Sequence, residues 1–223
     1  MYHYEYVSKR EAEPYRNEFL EIIHEVQDLL RDKFTFRYDF IGSSSRNMIT
    51  YDPTTNKGFD FDINLQVNDD DEEYDAKDLK TLIMTAIDKV ARPKGFAPCE
   101  NKTRVIRLKK LAHYPYDRIE YSCDFAIVYN YEDDDGHRHQ QYVHYQKNQD
   151  LYRWNEQSKG YNLDEKADWI KHQEGNLWDE VLEVYLDKKN SNNNLNKKSR
   201  ALYAETINEV SKRHGYSAKN ESK

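Results

Sequence analysis

Three aspartates set in apolar strands are the residues of this chain best suited to chemistry. Asp60 and Asp62 lie in GFDFDINLQV, Gly58 to Val67. Read with a period of two, Phe59, Phe61, Ile63, Leu65 and Val67 point one way, and Asp60, Asp62, Asn64 and Gln66 point the other. Most alternating strands of this kind are simply half-buried with a wet face. Two carboxylates on one side are also a pair able to hold a metal ion, and nothing inside the stretch decides between the readings. Asp124 is the single acid in YSCDFAIV, Tyr121 to Val128. An ionised carboxylate buried there without a partner costs several kcal/mol or takes up a proton, and a neighbouring cation removes that penalty.

The surrounding pattern supplies the elements that must position these residues. Phe19, Ile22, Ile23, Val26, Leu29 and Leu30 recur at helical spacing, which predicts an amphipathic helix over about 15–33. A strand follows over 35–41, then the turn-like Gly42-Ser43-Ser44-Ser45. Proline, asparagine and glycine together make DPTTNKG a loop ahead of the Asp60 strand. DDDEE, 69–73, lacks the glycine and alternating oxygen ligands of a calcium loop and reads as a solvated loop. A second helix fits 75–91, ended by Pro93 and Gly95. Strands are expected over 104–111, 118–131 and 138–145, the last two joined through Asp134-Asp135-Gly136. Past about Leu151 the texture becomes helical, with segments near 162–170, 177–189 and 202–210, and the last ten residues read as a frayed tail.

Bulk properties bound the function. At 223 residues the chain can bury one good core plus a smaller appendage. A formal net charge of −7 disfavours a protein that coats duplex nucleic acid, since phosphate affinity comes from lysine and arginine. The 19 tyrosines and three tryptophans argue against wholesale disorder. Cys99 and Cys123 make neither a disulfide framework nor a cysteine-rich zinc site. No apolar run approaches the length of a membrane span or a signal-peptide core, so the expectation is a cytoplasmic protein without a membrane partner.

Gly-Ser after an apolar strand, then Asp60-Phe61-Asp62, then Asp124 on a third strand resembles the signature of the DNA polymerase beta nucleotidyltransferase superfamily. The nearest branch is that of cyclic GMP–AMP synthase, the oligoadenylate synthetases and their bacterial relatives. The resemblance implies an α/β (α+β) fold with a mixed sheet flanked by helices. It further implies a nucleotidyltransferase core over 1–150, a short helical region over 151–213 and a flexible tail over 214–223. The implied activity moves a nucleoside monophosphate from a triphosphate, ATP foremost, to an acceptor hydroxyl with release of pyrophosphate. Asp60 and Asp62 would hold two Mg2+ (or Mn2+) ions, and Asp124 would serve the ion on the nucleophile side. Gly42 would let the backbone approach the phosphates, and the Ser43 hydroxyl and nearby amides would donate to them. The acceptor stays open: a nucleotide, a small molecule, a protein or an RNA end. So does the oligomeric state. The alternative is a catalytically silent nucleotide- or RNA-binding module on the same fold. Gly42 to Asp60 is a longer interval than compact family members have, and the helical part is short.

Other features carry less. Lys102, Arg104, Arg107, Lys109 and Lys110 read as a solvated strand face rather than a phosphate groove. His137, His139 and His144 lack the cysteines and the shared parity of a zinc site. Lys188, Lys189, Lys197, Lys198 and Arg200 read either as triphosphate contacts or as helix-terminus cations. Tyr152 and Tyr161 are base-stacking candidates, and Ser158 and Lys159 are weaker nucleotide contacts.

Overall fold

A computed structural model describes residues 3–54, 58–69, 73–112, 119–158, 163–194 and 196–217. The chain divides into two units. One comprises residues 6–52 and 56–157, and the other residues 1–5, 53–55 and 158–223.

The larger unit is built on a mixed sheet. In chain order its elements are β1 (Glu5–Tyr6, which straddles the boundary), α1 (Lys9–Leu30), β2 (Thr35–Ile41), α2 (Gly42–Ser45), β3 (Thr50–Tyr51) and β4 (Phe59–Asn68). Then come α3 (Ala76–Ala91), β5 (Glu100–Asn101), β6 (Ile106–Leu111), β7 (Ile119–Glu132), β8 (Arg138–Gln146) and β9 (Leu151–Glu156). The sheet runs β2-β4-β7-β6-β5, with β8 pairing the far half of β7 and β9 pairing β8. Only β4 and β7 pair in parallel among these; the other ladders are antiparallel.

Alternation decides which face is core. Phe61, Ile63, Leu65 and Val67 of β4 and Tyr121, Cys123, Phe125 and Ile127 of β7 are buried with Phe19, Ile22, Ile23 and Val26 of α1 and Leu79, Ile83, Ile87 and Val90 of α3. Both helices therefore cover one face of the sheet. Asp60, Asp62, Ser122 and Asp124 have the opposite parity and stand on the other face. Phe19 anchors the packing through edge contacts to Phe61, Tyr121 and Phe125.

Local chemistry sets the element ends. α1 begins at Lys9, six residues before the expected start at about 15, because Ser8 and Glu11 form a reciprocal capping box: Ser8 Oγ accepts from the Glu11 amide at 3.2 Å and Glu11 Oε2 accepts from the Ser8 amide at 2.9 Å. Asp75 caps α3 by accepting from the amides of Lys77 and Asp78, each at 2.8 Å. Gly42-Ser43-Ser44-Ser45 is a single helical turn rather than an open one, closed by Ser44 Oγ on the Ile41 carbonyl and Ser45 Oγ on that of Gly42. Residues 151–156, expected to open the helical region, form β9 instead; Tyr152 stacks on Tyr145 and Trp154 packs on the core.

The second unit carries α4 (Leu163–Lys171), α5 (Leu177–Ser191) and α6 (Ser199–Arg213). Ala167, Ile170, Val181, Tyr185, Leu202, Tyr203, Ile207 and Val210 are its buried apolar residues among those described, with Thr206 and Ser211 buried beside them. The tail is fastened as far as it is described: His214 pairs with Glu180, and Tyr216 donates to Glu165 at 2.8 Å and packs on Trp169. Lys188 and Lys197 are engaged by Glu209 and Glu205 at 2.7 Å each, and Lys189 lies over Tyr185.

Candidate active site

The parallel pairing of β4 with β7 assembles the three aspartates. Its register sets Asp62 beside Asp124 and Asp60 beside Ser122. Neighbouring strands lie about 4.8 Å apart, so Asp62 and Asp124 are adjacent like charges on one face. Asp60 stands two residues along β4, a separation of about 7 Å, and accepts a hydrogen bond from Ser122 Oγ. The pairing needs a close backbone approach at its start. A Cβ on Gly58 would fall 2.1 Å from the Glu120 carbonyl oxygen.

β2 brings the glycine-serine turn to the same place. Ile41 is the antiparallel partner of Asp62, and the next residue, Gly42, takes φ +66°. A Cβ there would lie 2.7 Å from Asp62 Oδ2, so both the backbone angle and the space call for glycine. Ser43 follows in the turn, and its carbonyl accepts from the Met48 amide at 2.9 Å. A cavity of about 530 Å³ between the start of α1 and the end of β2 shares Ser44 and Ser45 with this turn. None of the three aspartates lines it.

Two basic residues complete the electrostatics. Arg107 on β6 is the cross-strand partner of Asp124, and its Nε and Nη2 reach the two carboxylate oxygens at 2.6 Å each. This bidentate fork is the geometry in which guanidinium binds a carboxylate best. Burial, then the charges of Asp124 and Asp60, push Asp62 up to about 6, against the smaller opposing pull of Arg107 and Arg46. The site thus holds more negative charge than its own cations balance, and the excess sits on Asp62. Carboxylates of this kind are hard oxygen donors suited to Mg2+ or Mn2+.

The basic strand differs from its expected solvated face. Lys109 and Lys102 both pair with Glu100, Lys110 reaches the Lys94 carbonyl and Glu18, and Arg104 lies 4.7 Å from the Tyr142 ring centroid. Arg107 is the site residue that sequence reasoning passed over, since its only signal was its parity on IRLKKL. Ser122 had a better one: Ser-x-Asp on β7 matches Asp-x-Asp on β4, as a parallel pair would set them. Tyr152 is occupied by Tyr145 and by Asn101 Nδ2, which donates to its hydroxyl at 2.8 Å. Tyr161 and Lys159 lie outside the described residues.

A second acidic group sits at the β7–β8 hairpin. Ligand atoms of Asp133, Asp135 and His137 lie within 4.8 Å of one another, a spacing that could hold a metal ion. Asp133 is already spent on the turn, accepting from the amides of Asp135 and His137 and from His139 Nε2 at 2.7 Å. The His139 hydrogen bond, then that of the His137 amide, hold Asp133 down at about 2. His144 is not in the group.

No family model matches the chain, and no curated protein matches it in sequence. Solved structures do match. The STING-associated CdnE c-di-GMP synthase from Capnocytophaga granulosa superposes with a TM-score of 0.58 at 16% identity, covering 92% of this chain and 61% of that one. The Vibrio cholerae DncV cyclic AMP-GMP synthase, solved with the linear intermediate 5' pppA(3',5')pG, gives 0.56 at 15%, covering 91% and 52%. The Elizabethkingia meningoseptica CdnE cyclic dinucleotide synthase, solved with GTP and Apcpp, gives 0.51 at 14%, covering 86% and 68%. The chain thus spans about half to two thirds of the length of these structures. Among the described residues no helix is long and apolar enough to cross a membrane. At these identities the likeness is one of fold: the chain shares the fold of these bacterial cyclic dinucleotide synthases.

Proposed function

We propose that the protein is a metal-dependent nucleotidyltransferase that moves a nucleoside monophosphate from a triphosphate to an acceptor hydroxyl and releases pyrophosphate. The observation that carries this reading is the parallel register that sets Asp62 beside Asp124, with Asp60 one step along the strand. A fold gains no stability from placing like charges side by side, and a cation between them is the chemistry that would justify it. Asp60, Asp62 and Asp124 would hold Mg2+ or Mn2+. Two such ions, when bound, activate the attacking oxygen and neutralise the leaving one. Gly42 leaves room for the triphosphate against the backbone, and Ser43 and nearby amides donate to it. Asp124, on the strand next to β4, orients the incoming hydroxyl.

The neighbours that make cyclic dinucleotides favour a second nucleotide as the acceptor, with ATP or GTP as donor. The test is pyrophosphate release and product mass after incubation with Mn2+ or Mg2+ and all four ribonucleoside triphosphates. The D60A/D62A protein runs beside it. A nucleotide product absent from the variant establishes the activity and names the bases. Metal-dependent triphosphate binding without turnover leaves the silent binding module instead. No binding at all overturns both.

A further inference from the structure

Arg107 has a carboxylate on either side of it in the sheet. On β7 its cross-strand partner is Asp124, and on β5 it is Glu100. The side chain is turned to Asp124 and occupies both of its oxygens. Glu100 is meanwhile served by Lys102 and Lys109. The two arrangements are close in space, since adjacent strands are about 4.8 Å apart and the arginine stem is long and flexible. Exposure permits the exchange: the Arg107 side chain is 34% exposed and that of Asp124 is 15%.

The fork stands where a metal ligand must be free. A cation that takes an Asp124 oxygen displaces at least one guanidinium donor, and the two positive charges repel. In the metal-free protein the same fork is what neutralises Asp124 beside Asp62. We propose that Arg107 is a displaceable counter-ion of the candidate metal site: it holds Asp124 until a divalent cation loads, then turns to Glu100. The inference rests on the reading of Asp60, Asp62 and Asp124 as metal ligands. Its consequence is that loading is in competition with an internal cation, so the empty site is kept intact without being a strong scavenger of metal.

A positioning role alone makes the opposite forecast. If Arg107 merely stiffens Asp124, its removal weakens metal binding. The experiment titrates Mn2+ into the full chain, with and without a non-hydrolysable ATP analogue, and reads free Mn2+ by electron paramagnetic resonance. R107A is expected to bind Mn2+ at least tenfold more tightly than wild type, and R107Q serves should the alanine variant fail to fold. E100Q is expected to weaken binding severalfold in the wild-type background and to change nothing in R107A. Unchanged or weaker binding in R107A or R107Q overturns the displacement. An equal E100Q effect in both backgrounds overturns the move to Glu100 and leaves simple electrostatics. No Mn2+ uptake by wild type or by R107A, or uptake that D62N leaves untouched, overturns the metal site itself and the proposal with it.

Discussion

Replacing Asp62 with Asn should stabilise the metal-free protein, by an amount that grows as pH rises from about 4 to about 6. The folded carboxyl is raised from 3.8 to about 6 by burial and by Asp124 and Asp60. An acid raised on folding binds its proton more readily in the native state. The native state therefore holds more protons than the unfolded chain between those values, and stability falls as pH rises through them. At roughly 1.4 kcal/mol per pH unit, the penalty above pH 7 is on the order of 3 kcal/mol. Asn keeps the shape and removes the charge, so it recovers most of that cost. The assay is urea unfolding in EDTA, wild type against D62N, at intervals from pH 4.5 to 8. The gap should be about 1 kcal/mol at the acid end, widen up to about pH 6 and level off above. Saturating Mn2+ with a triphosphate analogue should reverse the ranking, because the bound cation stabilises only the wild-type carboxylate. A D62N protein no more stable than wild type at pH 8, or a gap that ignores pH, refutes the account of an electrostatically loaded site.

Further outcomes follow from backbone geometry. G58A puts a Cβ 2.1 Å from the Glu120 carbonyl, a backbone atom that cannot turn aside, so the β4–β7 pairing must open; loss of more than about 3 kcal/mol in urea unfolding is expected, beyond the usual cost of overpacking. S8A removes the capping box of α1 and should cost about 1 kcal/mol with no effect on Mn2+ binding. A larger loss, or a change in metal affinity, contradicts the view that this cap acts only on its own helix.

What the sequence by itself determined is local. Period-two alternation identified the two faces of β4, because successive strand residues must point to opposite sides. Apolar spacing located α3, α5 and α6, and turn chemistry placed the β7–β8 hairpin. Asp124 stood out because a lone acid in an apolar strand is costly, and its order after Gly42, Asp60 and Asp62 is what the family resemblance rested on. The assembly of the three aspartates was not legible. Asp60 and Ser122 meet across 62 residues of sequence, and nothing in either strand's periodicity names its partner or its register. The same limit hid Arg107: parity puts it on a face, but only the β6–β7 register decides which carboxylate it meets. β9 escaped for a related reason, since Leu151–Glu156 is held by its ladder to β8 rather than by its own pattern. Even the early start of α1 is a matter of two side chains reaching back to amides rather than of apolar spacing. Local periodicity decides which side of an element is buried; tertiary pairing decides which charges become neighbours, and it is those neighbours that load Asp62 and engage Asp124.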